Sequence, residues 1–438
     1  MHKPIVAIVG RPNVGKSTLF NRITGSRIAI VEDSPGITRD RLYADAEWLG
    51  HHFTTIDTGG LDPDSQHFIA KQVHHQAEIA IETSDVIIFL ADGRSGILEA
   101  DRSVANMLRK VQNKVLLVIN KIDSPAKQEN DIYEFYELGL GDPIPISAGQ
   151  ALGLGDMLDE VIKILPDPVD QEEEDVIKIA VVGKPNVGKS SLINKILGED
   201  RLIVSDQPGT TRDAVDTLYE RQGQSYVFID TAGLRRKSKI KENIERYSIV
   251  RAIWAIERAD VCVLLIDAEE GITEQDTKIA GIAHERGKAA IIAVNKWDLI
   301  EKDTHTMKDF TENIERELSY MPYAPKLFIS ALTGQRIHKL FDLIFTVYQN
   351  NAMRISTGLL NDVIIEATAI HQPPTDKGRA LRIFYATQVS VKPPTFVLFV
   401  NDSKLMHFSY KRFLENRLRD AFGFAGTPVH FIVRERDR

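Results

Sequence analysis

Gly10-Arg11-Pro12-Asn13-Val14-Gly15-Lys16-Ser17 brings two glycines, a lysine and a hydroxyl to the spacing that can cradle a triphosphate. Glycine lets the backbone turn tightly enough for several N–H groups to converge on phosphate oxygens. A helix opening at Ser17 adds the field of its N-terminus. Lys16 is placed to reach the β- and γ-phosphates, and the Ser17 hydroxyl to ligate Mg²⁺. Gly183-Lys184-Pro185-Asn186-Val187-Gly188-Lys189-Ser190 repeats the pattern, so Lys189 and Ser190 take the same roles. One match arises by chance in on the order of one or two per cent of chains this long, and two in on the order of one in ten thousand.

Forty-one residues beyond each lysine stands an aspartate, Asp57 and Asp230, followed three positions later by Gly60 and Gly233. Such a carboxylate can hold Mg²⁺ through water, and the glycine N–H can meet the γ-phosphate and so sense its presence. Asn120-Lys121-Ile122-Asp123 and Asn295-Lys296-Trp297-Asp298 are suited to reading a base. A carboxylate accepts from both N1–H and the exocyclic amine of guanine. Adenine offers neither donor there and would leave a buried carboxylate unpaired. The lysine stems can lie over the purine plane, and Ser147-Ala148 and Ser330-Ala331 can present backbone N–H to guanine O6. Two complete sites for GTP or GDP, each with Mg²⁺, follow from these residues.

The elements that position them are duplicated. Pro35–Asp40 recurs as Pro208–Asp213 and Asp57–Gly60 as Asp230–Gly233, both at the 173-residue shift of the phosphate loops, while the base-reading motifs are 175 apart. In the first copy apolar runs occur at Ile5–Val9, Phe53–Ile56, Val86–Ala91 and Val115–Ile119. In the second they occur at Ile179–Val182, Tyr226–Ile229, Val261–Ile266 and Ala290–Val294. Continuous apolar strands separated by helical periodicity predict a mostly parallel sheet covered on both faces. Pro166 to Asp175 combines prolines with concentrated acid and reads as a linker. After residue 350 a helix over Thr357–His371, strands over Leu381–Val391 and Phe396–Asn401, a basic helix over Tyr410–Phe422 and a strand over Val429–Val433 make a small α+β domain. The predicted division is a first nucleotide domain at 1–165, an acidic linker at 166–175, a second nucleotide domain at 176–350 and an α+β domain at 351–438.

Composition bounds the remaining choices. The chain has 438 residues, 43% hydrophobic and 26% charged, as in a soluble globular protein. No apolar run reaches the roughly 18 residues of a membrane span, and the N-terminus runs into a strand without a secretory signal. Cys262, the single cysteine, sits in an apolar strand and reads as core, which fits a reducing cytoplasm. His51-His52 and His74-His75 lack partners at ligand spacing and read as surface residues. Net charge is −8, but residues 351–438 hold 13 Lys or Arg against 8 Asp or Glu, a basic tail on an acidic body. In the tail, Arg379, Arg382, Lys392, Lys411, Arg412, Arg417 and Arg419 are available for phosphate contacts.

These motifs resemble the translation-factor-related GTPases, in particular the Era-like branch. Two such domains ahead of a small basic α+β domain resemble the Der (EngA) family of bacterial ribosome-assembly GTPases over essentially the whole chain. The resemblance implies an α/β fold with two tandem P-loop GTPase domains and a C-terminal KH-like domain. It implies a GTPase acting as a nucleotide-dependent switch in biogenesis of the large ribosomal subunit, with that subunit and its rRNA as partners. The chain is expected to be cytoplasmic, monomeric and without a membrane attachment. By the same resemblance Thr38 and Thr211 are the switch threonines that close on Mg²⁺ and γ-phosphate, and Asn13 and Asn186 help to ligate K⁺ beside the β- and γ-phosphates.

Leu61 and Leu234 stand where many GTPases carry a water-orienting glutamine, so unaided hydrolysis should be slow. Arg235–Lys241, with five basic residues in seven, reads either as a solvated loop or as a switch that touches RNA or another domain. Gly423-Phe424-Ala425-Gly426 precedes the last strand, whereas a typical KH clamp lies between two helices, and it reads as a helix stop and turn. Two other classes stay open at this stage: an RNA-binding scaffold in which one site barely turns over, and a tRNA-modification or membrane-linked GTPase of the same branch.

Overall fold

The computed structural model describes residues 3–25, 43–57, 77–78, 80–124, 132–166, 176–199, 216–229, 244–373, 375–376 and 379–435. Thr38, Gly60, Leu61, His74-His75, the linker from 167 to 175, Thr211, Asp230, Gly233 and residues 234–241 lie outside them. Two compact units divide the chain: residues 1–172 with 239–254, and residues 173–238 with 255–438.

In the first repeat, β1 (Ile5–Val9), β2 (Tyr43–Trp48), β3 (His51–Asp57), β4 (Val86–Asp92), β5 (Val115–Asn120) and β6 (Ile144–Pro145) form one sheet in the order β2-β3-β1-β4-β5-β6. All pairs are parallel except β2 with β3. Alternation along the strands splits the apolar residues between two faces. Val6, Ile8, Ile88 and Val118 pack with Leu19, Phe20, Met157 and Val161 of helices Lys16–Thr24 and Leu154–Ile164. Ala7, Val9, Phe89 and Ile119 pack on the other side with Val104 and Leu108 of helix Glu99–Leu108. A fully buried side chain such as Phe89 contributes roughly 1.5–3 kcal/mol relative to exposure, so the two-sided sheet is a rigid platform.

The second repeat has the same order. β7 (Val176–Val182), β8 (Thr217–Arg221), β9 (Gln224–Phe228), β10 (Val261–Asp267), β11 (Ala289–Asn295) and β12 (Lys326–Phe328) run β12-β11-β10-β7-β9-β8. Each of the eight apolar runs falls on a strand, with Ile229 just past the end of β9. Sequence reading missed the antiparallel edges β2 and β8. Tyr-Ala-Asp-Ala-Glu-Trp mixes charge with small residues because its strand is half solvated, and no continuous apolar signal marks it. Cys262 is buried in β10 and its thiol is pushed up to about 12 by burial, as suits a core residue. His51 and His52 are exposed. No helix among the described residues is long and apolar enough to cross a membrane.

The tail builds its own core around Leu360, Phe396, Leu398, Leu414 and Phe424, with helices Thr357–Ile370 and Phe408–Phe422 against a sheet of Ile383–Ser390, Thr395–Val400 and His430–Glu435. Gly423 caps the second helix at φ 94°, as the stop-and-turn reading expects. The turn then docks on the second repeat. Gly426 N–H donates to Tyr323 O (2.7 Å), Ala290 N–H donates to Gly426 O (2.7 Å), and Asn350 Nδ2 donates to Ala425 O (3.0 Å). A Cβ at Gly426 would lie 2.3 Å from Val347 Cγ2, so glycine is required by close approach as well as by its φ of 77°. This turn is therefore occupied by protein and cannot clamp an RNA backbone.

Two of the tail's basic residues are likewise turned inward. Arg419 lies over the Tyr323 ring and donates to Phe424 O and Thr427 O, and Lys392 Nζ donates to the Tyr348 hydroxyl. They hold the tail to the second repeat instead of reaching solvent, whereas Arg379, Arg382 and Arg412 remain exposed.

Candidate functional site

Both phosphate loops leave the carboxyl edge of their central strands, where parallel α/β sheets build their ligand sites. Gly10 follows β1 because a Cβ there would lie 2.3 Å from Leu90 O, and Gly183 meets Leu265 O at 2.5 Å in the same way. Asn13 and Asn186 take left-handed conformations at φ 65° and 63°, which asparagine tolerates better than most residues. Gly15 and Gly188 turn the chain into the helices at φ 100° and 102°.

Lys16 Nζ donates to Gly10 O (2.6 Å) and Arg11 O (2.9 Å), and Lys189 Nζ donates to Gly183 O and Lys184 O at 2.7 Å each. Each ammonium is thus folded back on its own loop, at the centre of the expected cradle. Burial lowers Lys16 to about 8, against the opposing field of Asp57. Bound phosphate would raise that value. Affinity at the first site should accordingly be full below pH 8 and decline as pH rises through the free-state value, with net proton uptake on binding at about pH 8–9. Calorimetry in buffers of different ionisation enthalpy checks this, and binding without proton uptake there would contradict it.

Ser17 Oγ donates to Asp57 Oδ2 at 2.7 Å, which brings together the hydroxyl and carboxylate expected to meet Mg²⁺. Ser190 holds the matching helix position, and its partner Asp230 lies outside the described residues.

The base-reading motifs end β5 and β11. Asn120 and Asn295 are buried, and each does a job that sequence did not reveal. Asn120 Nδ2 donates to Val14 O (2.7 Å) and its Oδ1 accepts from Ala148 N–H (2.9 Å). Asn295 repeats this with Val187 O (2.8 Å) and Ala331 N–H (2.9 Å). One amide therefore ties the phosphate loop to the loop beyond the base. The Ala148 and Ala331 N–H groups, expected to face guanine O6, are used in this tie.

Lys121 and Lys296, at φ 68° and 62°, are pinned by a second carboxylate from the neighbouring strand. Lys121 Nζ lies 2.6 Å from Asp92 Oδ2 and also donates to Asn13 O (2.8 Å), while Lys296 Nζ lies 2.5 Å from Asp267 Oδ2. Register makes this possible, because Asp92 pairs with Asn120 and Asp267 with Asn295. Burial alone would raise Asp92, but hydrogen bonds from Lys121 and the Arg94 N–H hold it below the ordinary carboxylate range. Asp101 and Asp276 were also missed. Buried at helix starts, they lie near the basic second residue of each phosphate loop, with Arg11 Nε 3.2 Å from Asp101 and Lys184 Nζ 3.9 Å from Asp276. The same 175-residue shift that relates the base-reading motifs relates Asp92 to Asp267 and Asp101 to Asp276, and that was the available signal.

Asp123 and Asp298 are the carboxylates expected to read the base. Asp123 Oδ1 accepts from Ser147 Oγ (2.8 Å) and Oδ2 from Arg94 Nη2 (2.5 Å), which together hold the carboxyl below its usual range. Asp298 Oδ1 is buried and has no hydrogen-bond partner among the described residues. A buried carboxylate oxygen in that condition costs free energy until a donor arrives, and the N1–H and amine of guanine are donors of the required kind.

Residues 5–121 and 178–296 match the family profile described as 50S ribosome-binding GTPase, and residues 354–434 match the KH-domain-like C-terminal region of EngA bacterial GTPase enzymes. The chain is 63% identical over 437 residues to a GTPase Der of Agathobacter rectalis, covering 100% of this chain and 99% of that protein. To a GTPase Der of Alkaliphilus metalliredigens it is 62% identical over 437 residues, with the same coverage. Among solved structures, an Era of Aquifex aeolicus bound to GDP and aluminium fluoride matches with a TM-score of 0.32 at 22% identity, over 59% of this chain and 93% of that one. With matching family profiles at both nucleotide repeats and at the tail, and identity running the length of the chain, this protein belongs to the Der (EngA) family of bacterial GTPases, and it hydrolyses GTP.

Proposed function

We propose that the chain is a nucleotide-dependent switch in biogenesis of the large ribosomal subunit, binding GTP at both sites and docking on rRNA through its basic end. The observation that carries this reading is the bonding of the tail to the second repeat. Ala290, five residues before Asn295 on the strand that ends in the base-reading motif, donates to Gly426 of the tail. A nucleotide-driven shift of that strand's end has a direct mechanical route to the basic domain. The name of the matching family profile supports a ribosomal partner. The proposed domains are 1–165, 176–350 and 351–438, joined by the acidic linker 166–175, in a monomer of the cytoplasm.

Ser17 and Asp57 offer the hard oxygens that suit Mg²⁺, with Thr38 as the third residue, and Ser190, Thr211 and Asp230 take these roles in the second site. The ion would neutralise charge on the β- and γ-phosphates. Asn13 and Asn186, held left-handed at the loop apex, are the residues for K⁺. Gly60 and Gly233 are the γ-phosphate sensors.

Cosedimentation with purified large ribosomal subunits tests the reading. Binding should differ between a GTP analogue and GDP, and should fall steeply as salt rises, because exposed cations such as Arg379, Arg382 and Arg412 displace counterions. Association indifferent to both nucleotide and salt would defeat it.

A further inference from the structure

The two base-reading motifs share one backbone design, and the turn beside each carries opposite charge, Arg94 in the first and Glu269 in the second. In the first, the turn after β4 is set by the Arg94 N–H donating to Asp92 Oδ1 at 3.0 Å. In the second, the turn after β10 is set by the Glu269 N–H donating to Asp267 Oδ1, also at 3.0 Å. Arg94 and Glu269 thus occupy the same position, 175 residues apart. From that position Arg94 pairs with Asp123, its own side chain 64% exposed and the aspartate's 31%. Glu269 cannot pair with a carboxylate, and Asp298 Oδ1 is the buried acceptor without a partner among the described residues.

We propose that Arg94 is an affinity-determining residue of the first site, an internal competitor that occupies the guanine-reading carboxylate until the base displaces it. The inference rests on the reading of Asp123 and Asp298 as the guanine-binding carboxylates. Guanine presents two donors to both oxygens of such a carboxylate. Ser147 can stay, because a carboxylate oxygen has a second acceptor position. The Arg94 guanidinium is the partner the base displaces, because it is bulkier than a hydroxyl and its exposed charge on Oδ2 competes with both donors of the base for the same carboxylate. The second site shows no such contact among the described residues, and there guanine meets a carboxylate whose Oδ1 has no partner among them. The two sites of one chain are therefore set to load in order, the second at lower nucleotide concentration than the first. Because the competing pair is exposed, its effect is modest and is screened by salt.

The test uses the full chain with the other site disabled. In Lys189→Ala protein, fluorescent GDP reports the first site alone, and adding Arg94→Ala should tighten binding by roughly 1.5- to fivefold, the range for an exposed ion pair. The gap between the two proteins should narrow as ionic strength rises. In Lys16→Ala protein, Glu269→Arg should weaken the second site by a similar factor. Unchanged or weaker binding in the Arg94→Ala protein would overturn the proposal. A parallel Asp123→Asn variant separates the two possible failures. If it fails to move the first site from guanine toward xanthine nucleotides, the base reading and this inference fall together. If it does move the preference while Arg94→Ala has no effect, only the competitor role falls.

Discussion

Asp298→Asn should convert the second site from a guanine site to a xanthine site. Xanthine carries an oxygen where guanine carries the exocyclic amine, so an amide that donates there restores the bond the carboxylate loses. For GTP the substitution removes a charge-assisted hydrogen bond and places a donor against a donor. At about 1.5–3 kcal/mol for each bond to a charged group, the loss is on the order of 10²- to 10³-fold in affinity. The buried Oδ1, without a partner among the described residues, makes the second site the sharper place for the experiment, since Glu269 stands there in place of Arg94. Competition of GTP and XTP against a fluorescent nucleotide in Lys16→Ala protein measures it. Retained preference for GTP would refute the assignment of Asp298.

Lys16→Ala and Lys189→Ala should each abolish one of the two nucleotide equivalents and leave the other intact. Each ammonium lies against two carbonyls of its own loop, inside the turn proposed to hold the phosphates, so a small movement would bring it to them. Loss of a cation that contacts both β- and γ-phosphates amounts to on the order of 10²- to 10⁴-fold in affinity. The sites are built on separate sheets with separate ties, Asn120 to Val14 and Asn295 to Val187. A titration of nucleotide per chain in each variant would contradict this independence if either single substitution removed both equivalents.

Much of this was legible in the sequence for a physical reason. Central parallel strands are buried on both faces, so β1, β4, β10 and β11 announce themselves as unbroken apolar runs. The phosphate loops announce themselves because glycine, lysine and a hydroxyl are needed at fixed offsets along one turn. Legibility failed where a role depends on register between strands. Nothing local distinguishes Asp92 or Asp267 from any acidic residue at a strand end, and only the pairing with Asn120 or Asn295 brings the carboxylate to the lysine. Asn120 itself was read as a base contact because of its place in the motif. Its partners are backbone groups far along the chain at Val14 and Ala148, which no spacing rule encodes. The tail gave its elements to within a few residues, yet Arg419 and Lys392 looked like free cations until their aromatic partners Tyr323 and Tyr348 were in place.

Isothermal titration of the nucleotide-free, full-length chain with a non-hydrolysable GTP analogue bears most directly on the whole account. Two moles of analogue should bind per mole of protein, with an ATP analogue binding at neither site. A well-folded chain that takes up one mole, or that accepts the adenine nucleotide as readily, would contradict the claim that both repeats are guanine-nucleotide sites.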